Sequence, residues 1–96
     1  MKKLIWAHKA QKEFNEVYDF WVQHNKSDLY SEKLLDETLR IIKLIAESPE
    51  MGLETKRNKL RRVIINRTFS MTYKVEKENI KIASFFDGRR MLKDNL

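Results

Sequence analysis

The chain has 96 residues, 20 Lys and Arg, 14 Asp and Glu, and no Cys. That length suits a single domain over residues 1–96 with a thin core, and zero Cys excludes a disulfide framework and any Cys-ligated zinc or iron–sulfur site. Residues 1–48 balance eight basic against eight acidic side chains, whereas residues 49–96 hold twelve basic and six acidic ones, so the whole formal +6 lies in the second half.

The N-terminus reads Met1-Lys2-Lys3-Leu4-Ile5-Trp6-Ala7. Its loose alternation predicts a short strand. Charge returns at once with Lys9, so the apolar patch is too short for a signal-peptide core of about 7–15 residues. No later apolar run approaches the ~20 residues that cross a bilayer. Together with the lack of Cys, this gives a soluble, cytoplasmic protein as the expectation. From His8 to Asn25 the period changes. Ala10, Phe14, Val17, Tyr18 and Trp21 fall at helical spacing and form one apolar stripe. Asn25-Lys26-Ser27-Asp28 breaks the pattern, and Ser27 or Asp28 is placed to cap a second helix. That helix runs from Leu29 to about Glu47, with a broad apolar face from Leu34 to Ala46. Pro49 ends it, because proline cannot continue the helix and disfavours helical geometry at Ser48. A break so short predicts an antiparallel helical hairpin.

Three strands follow, over Leu60–Asn66, Thr68–Glu76 and Asn79–Phe86. The middle one alternates Phe69, Met71, Tyr73 and Val75 with Thr68, Ser70, Thr72 and Lys74, so one face is buried and the other solvated. Asn66-Arg67 and Glu76-Lys77-Glu78-Asn79 are the turns. The resulting class is α+β, in the order β-α-α-β-β-β: an antiparallel meander with the helical hairpin packed on one face. Arg62, Ser70, Thr72 and Lys74 belong to the open face.

The densest basic feature is Lys56-Arg57-Asn58-Lys59-Leu60-Arg61-Arg62, with Arg67 just beyond and no acid within it. Read plainly, it is a solvated loop leading to an edge strand, where cations discourage edge pairing. Read functionally, it is a surface for phosphates or acidic groups, since arginine offers a planar fork to oxyanions. Asp87-Gly88-Arg89-Arg90 follows the last strand: read plainly, it is a hairpin-like exit with Arg89 or Arg90 paired to Asp87, and read functionally, it is a set of binding side chains at a strand end beside Gly. Enzyme signatures are poor. His8 and His24 are 16 positions apart, far from the basic strands, and no HExxH, Walker, GxGxxG or GxSxG motif is present. Phe85 and Phe86 cannot both face the helices, and the outward one is a candidate contact for a partner.

Over essentially its whole length the sequence resembles the RelE/ParE superfamily of bacterial type II toxins. The resemblance rests on Leu4-Ile5-Trp6-Ala7, Ala10, Tyr18 and Trp21, and Ser48-Pro49-Glu50-Met51-Gly52. In the second half it rests on Leu60-Arg61-Arg62-Val63, Phe69 to Val75, and Ile82 to Arg90. It implies a toxin held inactive by a cognate antitoxin. The basic second half predicts that the antitoxin offers an acidic C-terminal segment, and no cofactor, metal or membrane is expected. ParE-like members poison DNA gyrase, and RelE-like members cut mRNA on the ribosome. RelE-like nucleases carry a basic residue on the middle strand where this chain has Ser70. They also carry a Tyr or His in the tail, where Met91 to Leu96 has neither. Arg89 does match their arginine after the last strand. ParE-like toxins carry an arginine run there too, though Leu92 stands where their proline is usual. The resemblance therefore points first to the ParE-like branch, with DNA gyrase as target and Lys56, Arg57, Lys59, Arg61, Arg62, Arg67, Arg89 and Arg90 as the binding residues. Its alternative is a ribosome-dependent mRNA endonuclease, with Arg62 and Arg89 on the scissile phosphate.

Overall fold

The computed structural model describes residues 2–57 and 59–89. Strand β1 spans Lys3–Trp6, and helices α1 and α2 span His8–Asn25 and Leu29–Glu47. A single 3-10 turn, Pro49–Met51, leads into β2 at Leu53–Glu54. Strands β3, β4 and β5 cover Arg61–Ile65, Phe69–Val75 and Asn79–Asp87. The expected order of strand, two helices and three strands is present, with β2 as an addition.

The five strands lie in the order β1-β5-β4-β3-β2. The meander β3-β4-β5 is antiparallel as expected, while β1 runs parallel to β5 with Lys3 opposite Asn79 and Trp6 opposite Ile82. The sheet is therefore mixed, and the helical hairpin is the crossover between its parallel pair. Ala10, Phe14 and Val17 of α1 and Leu34, Ile42 and Ile45 of α2 are buried against Val63, Ile65, Phe69, Met71, Tyr73, Ile80, Ile82 and Phe85. Lys26 takes a left-handed conformation (φ 53°) at the end of α1, and its N–H donates to the Val22 carbonyl. The Ser27 hydroxyl, not the Asp28 carboxylate, accepts from the start of α2, through the Leu29 N–H at 3.2 Å.

A bulge decides which phenylalanine faces inward. Thr72 lies opposite Ser84 and Tyr73 opposite Ile82, so Ala83 is an extra residue in β5. The insertion shifts the alternation by one. Ile80 and Ile82 face the core before it, and Phe85 and Asp87 face the core after it. Phe86 is turned to the open face. Past Trp6 no described strand lies beside β5 on that edge, and Glu13 of α1 accepts from the Phe85 N–H at 3.1 Å.

Candidate basic face and its aromatic counterpart

On the open face the ladder arranges side chains in rows. Arg62, Thr72 and Ser84 form one row, and Ile64, Ser70 and Phe86 form the next. Lys74 stands directly opposite Lys81. Like charges so placed destabilise a sheet, so this pair is a local cost that packing does not explain. No open-face side chain of β3, β4 or β5 is acidic. The Thr72 and Ser84 hydroxyls share a hydrogen bond of 2.5 Å. The Ser70 hydroxyl is buried and has no partner among the described residues.

Beside these rows lies a shallow depression of about 420 Å³, lined by Lys9, Arg57, Leu60, Arg62, Ser84 and Phe86 among others. Lys9 comes from α1, in the electrically neutral half of the chain, and is paired with Glu13 at 3.1 Å. With Lys74 and Lys81, cations from both halves share this side of the sheet. The lining offers charge, hydroxyls and one aromatic ring. Histidine, tyrosine and carboxylate side chains, the usual proton-transfer groups, are not among its described lining residues.

The basic residues singled out from the sequence divide into different roles. Lys56 and Lys59 are exposed on the loop between β2 and β3, where Lys59 takes a positive φ of 60°. Arg67 is exposed at the tip of the β3–β4 hairpin, where it and Asn66 both have positive φ. Arg61 points away from the open face. Its Nη1 donates to the carbonyls of Glu50 at 3.1 Å and Gly52 at 2.8 Å, and its Nη2 lies 3.7 Å from Glu54. Tyr73 braces the same corner from within, donating to the Pro49 carbonyl at 2.7 Å and accepting from the Gly52 N–H at 2.8 Å. Burial pushes the Tyr73 phenol above its usual range.

Arg89 lies on the helical side of the sheet. Its guanidinium sits 4.6 Å from the Trp21 ring centroid and 5.4 Å from that of Phe69. It donates to Asp87 Oδ1 at 3.2 Å and to the Tyr30 hydroxyl at 3.1 Å. Burial works against its charge, but the hydrogen bonds to Asp87 and Tyr30 outweigh it and hold Arg89 above its ordinary range. Arg62 and Arg89 are thus on opposite faces of the sheet and do not converge on one site. Arg90 and the segment Met91 to Leu96 lie outside the described residues.

Comparison with solved structures places this architecture. A chain of the chromosomal ParDE toxin–antitoxin system of P. aeruginosa superposes with a TM-score of 0.76 at 20% identity, over 91% of this chain and 96% of that one. YafQ from E. coli strain BL21(DE3) gives 0.61 at 8% identity, over 95% and 98%. The chain shares the fold of both. A copper-bound mutant toxin from Helicobacter pylori also shares it, with a TM-score of 0.61 at 19% identity over 95% of this chain and 99% of that one. No family model and no curated protein matches the sequence. No described helix is long and apolar enough to cross a membrane. No described group of three or more His, Asp or Glu side chains is placed to hold a metal ion.

Sequence reasoning missed Lys9 and Lys81 as members of the basic face. The signal for Lys81 was present, because it alternates with Ile80 and Ile82. The inward turn of Arg61 was equally legible, since it shares its alternation with Val63 and Ile65.

Proposed function

We propose that this chain is the toxin of a type II toxin–antitoxin system and that it arrests growth by binding a protein target, with DNA gyrase the target favoured. The observation that carries this reading is the open sheet face: Lys9, Arg57, Arg62, Lys74 and Lys81 have no acidic strand neighbour, the described lining of the depression has no histidine, tyrosine or carboxylate, and the nearby Glu13 is tied to Lys9 and to the Phe85 N–H. Such a face suits an acidic protein surface better than it suits chemistry. The likeness to a chain of a ParDE system supports the same branch. The cognate antitoxin, in this reading, offers an acidic C-terminal segment that folds on the basic face, and association is steered by charge and weakened by salt.

The runner-up is a ribosome-dependent mRNA endonuclease. Arg62 and the outward ring of Phe86 favour it, as a phosphate contact and a base-stacking surface. Against it stands the placement of Arg89 on the other side of the sheet. General acid–base help is worth about 10²–10⁴-fold in rate, so a site without it is slow. Induction of the chain without antitoxin, followed by mapping of mRNA 5′ ends, separates the two. Growth arrest without codon-phased cuts supports the protein-binding toxin. Phased cuts that vanish in Arg62→Ala overturn it in favour of the nuclease. Normal growth on induction removes both.

A further inference from the structure

At the end of β5 a cluster built on one buried carboxylate and its arginine ties α1, α2 and the sheet together. The Asp87 side chain is 1% exposed. Its Oδ2 accepts from Trp21 Nε1 at 3.1 Å, and its Oδ1 accepts from the Arg89 backbone N–H at 3.0 Å and from Arg89 Nε at 3.2 Å. A carboxylate so buried needs a matched charge and filled lone pairs. Arg89 supplies the charge. It reaches α1 through Trp21, α2 through the Tyr30 hydroxyl, and the sheet through Phe69 and Asp87.

We infer that Arg89 is the bolt of a latch between the helical hairpin and the end of β5, and that it serves the basic face as a positioning residue, without touching a partner. The route is the pleat of the strand. Successive side chains alternate between faces, so holding Asp87 inward holds Phe86 outward. Phe86 completes the row with Ile64 and Ser70 on the open face. Release of Asp87 lets the end of β5 turn or fray, and the aromatic wall of the depression goes with it. The bulge at Ala83 gives this end its own register, so the fixed point must lie beyond the bulge, where Asp87 is.

The latch is tested on the full chain in a Trp6→Phe background, where Trp21 is the sole tryptophan. Arg89→Ala is expected to shift Trp21 emission to longer wavelength and to lower the unfolding midpoint. It also raises amide exchange at Phe86 by about tenfold or more, as local opening becomes easier. Arg89→Lys keeps the charge but loses the planar fork, and gives a smaller shift in the same direction. Adding Asp87→Asn to Arg89→Ala is expected to recover part of the lost midpoint, because no buried charge is then left unpaired. Additive losses in that double variant, or an Arg89→Ala protein with unchanged Trp21 emission and Phe86 exchange, overturn the latch. These readouts need no toxicity, so failure of the latch and failure of the toxin reading are seen separately. Where induction does arrest growth, the latch predicts that Asp87→Asn partly restores arrest to Arg89→Ala. Loss of arrest that Asp87→Asn leaves untouched assigns Arg89 to direct contact and refutes the latch.

Discussion

Gly52→Ala tests the corner that carries the chain from α2 to the basic strands. A Cβ at Gly52 would lie 2.6 Å from the Tyr73 hydroxyl, 2.7 Å from Cε1 and 3.0 Å from Cζ. The backbone there has φ −73° and ψ 151°, open to any residue, so the obstacle is contact and not strain. An alanine would even gain about 0.4–1 kcal/mol by restricting the unfolded chain. Against that, Tyr73 is fully buried within the core cluster and cannot swing away without disturbing it. Overpacking of such a site costs about 1–3 kcal/mol. Displacing the ring also weakens two hydrogen bonds, at about 0.5–1.5 kcal/mol each. The net expectation is a loss of about 2–3 kcal/mol, or roughly 10–20 °C in Tm for a chain of this size. Thermal and urea unfolding followed by circular dichroism measure it. Tyr73→Phe alone should cost about 1–3 kcal/mol by orphaning the Gly52 N–H. The double variant should lose less than the sum, because the nearest clash is gone. A Gly52→Ala protein within about 0.5 kcal/mol of the parent, the range of an ordinary surface change, would refute the reasoning.

Lys81→Glu should stabilise the fold by about 0.2–1 kcal/mol, since it turns a facing like-charge pair into an opposite one, while weakening association with an acidic partner. Urea midpoints and a binding isotherm read in parallel check this trade. Arg62→Ala, at an exposed position, should leave stability within about 0.5 kcal/mol and still reduce partner binding, with a flatter salt dependence. Arg61→Ala should do the reverse, lowering the unfolding midpoint through the lost ties to Glu50 and Gly52 and changing binding little at temperatures where it is folded. Tyr18 donates to Glu32, and that hydrogen bond is the main cause that pushes its phenol from 10.0 to about 12. The fold therefore favours the neutral phenol, and this stabilisation is whole below pH 10 and fades as the pH rises towards 12. Glu32→Gln should shift the phenolate absorbance change back towards pH 10 and blunt that loss.

Local signals carried most of the fold. The 3.6-residue stripes and Pro49 marked both helices, and alternation marked the central strand and the burial of Phe69, Met71 and Tyr73, although Val75 at its end is exposed and Ser70 on the other face is buried under its neighbours. What was hidden depends on distant partners. The two residues of β2 are too few to show a period, and the parallel pairing of β1 with β5 joins positions more than 70 residues apart. The bulge at Ala83 has no composition mark, yet it alone settles that Phe85 is core and Phe86 is not. The site followed the same rule. Arg57 and Arg62 were legible as a basic surface, but a run of arginines looks alike in sequence whether its members face water or brace a corner. Only register separates Arg62 from Arg61. Asp87 together with the aromatic residues of α1, α2 and β4 explains why Arg89 is held away from the basic face. Lys9 belongs to a half with no net charge and joins the face because α1 begins beside β5.

The account rests on a cationic sheet face that captures a protein. A supercoiling assay with purified DNA gyrase and increasing amounts of the folded chain tests this most directly. The account predicts dose-dependent inhibition that fades with salt and is weakened in Arg62→Glu and Lys81→Glu while both variants stay folded. Full gyrase activity at excess protein, from a preparation that does arrest growth on induction, would contradict it.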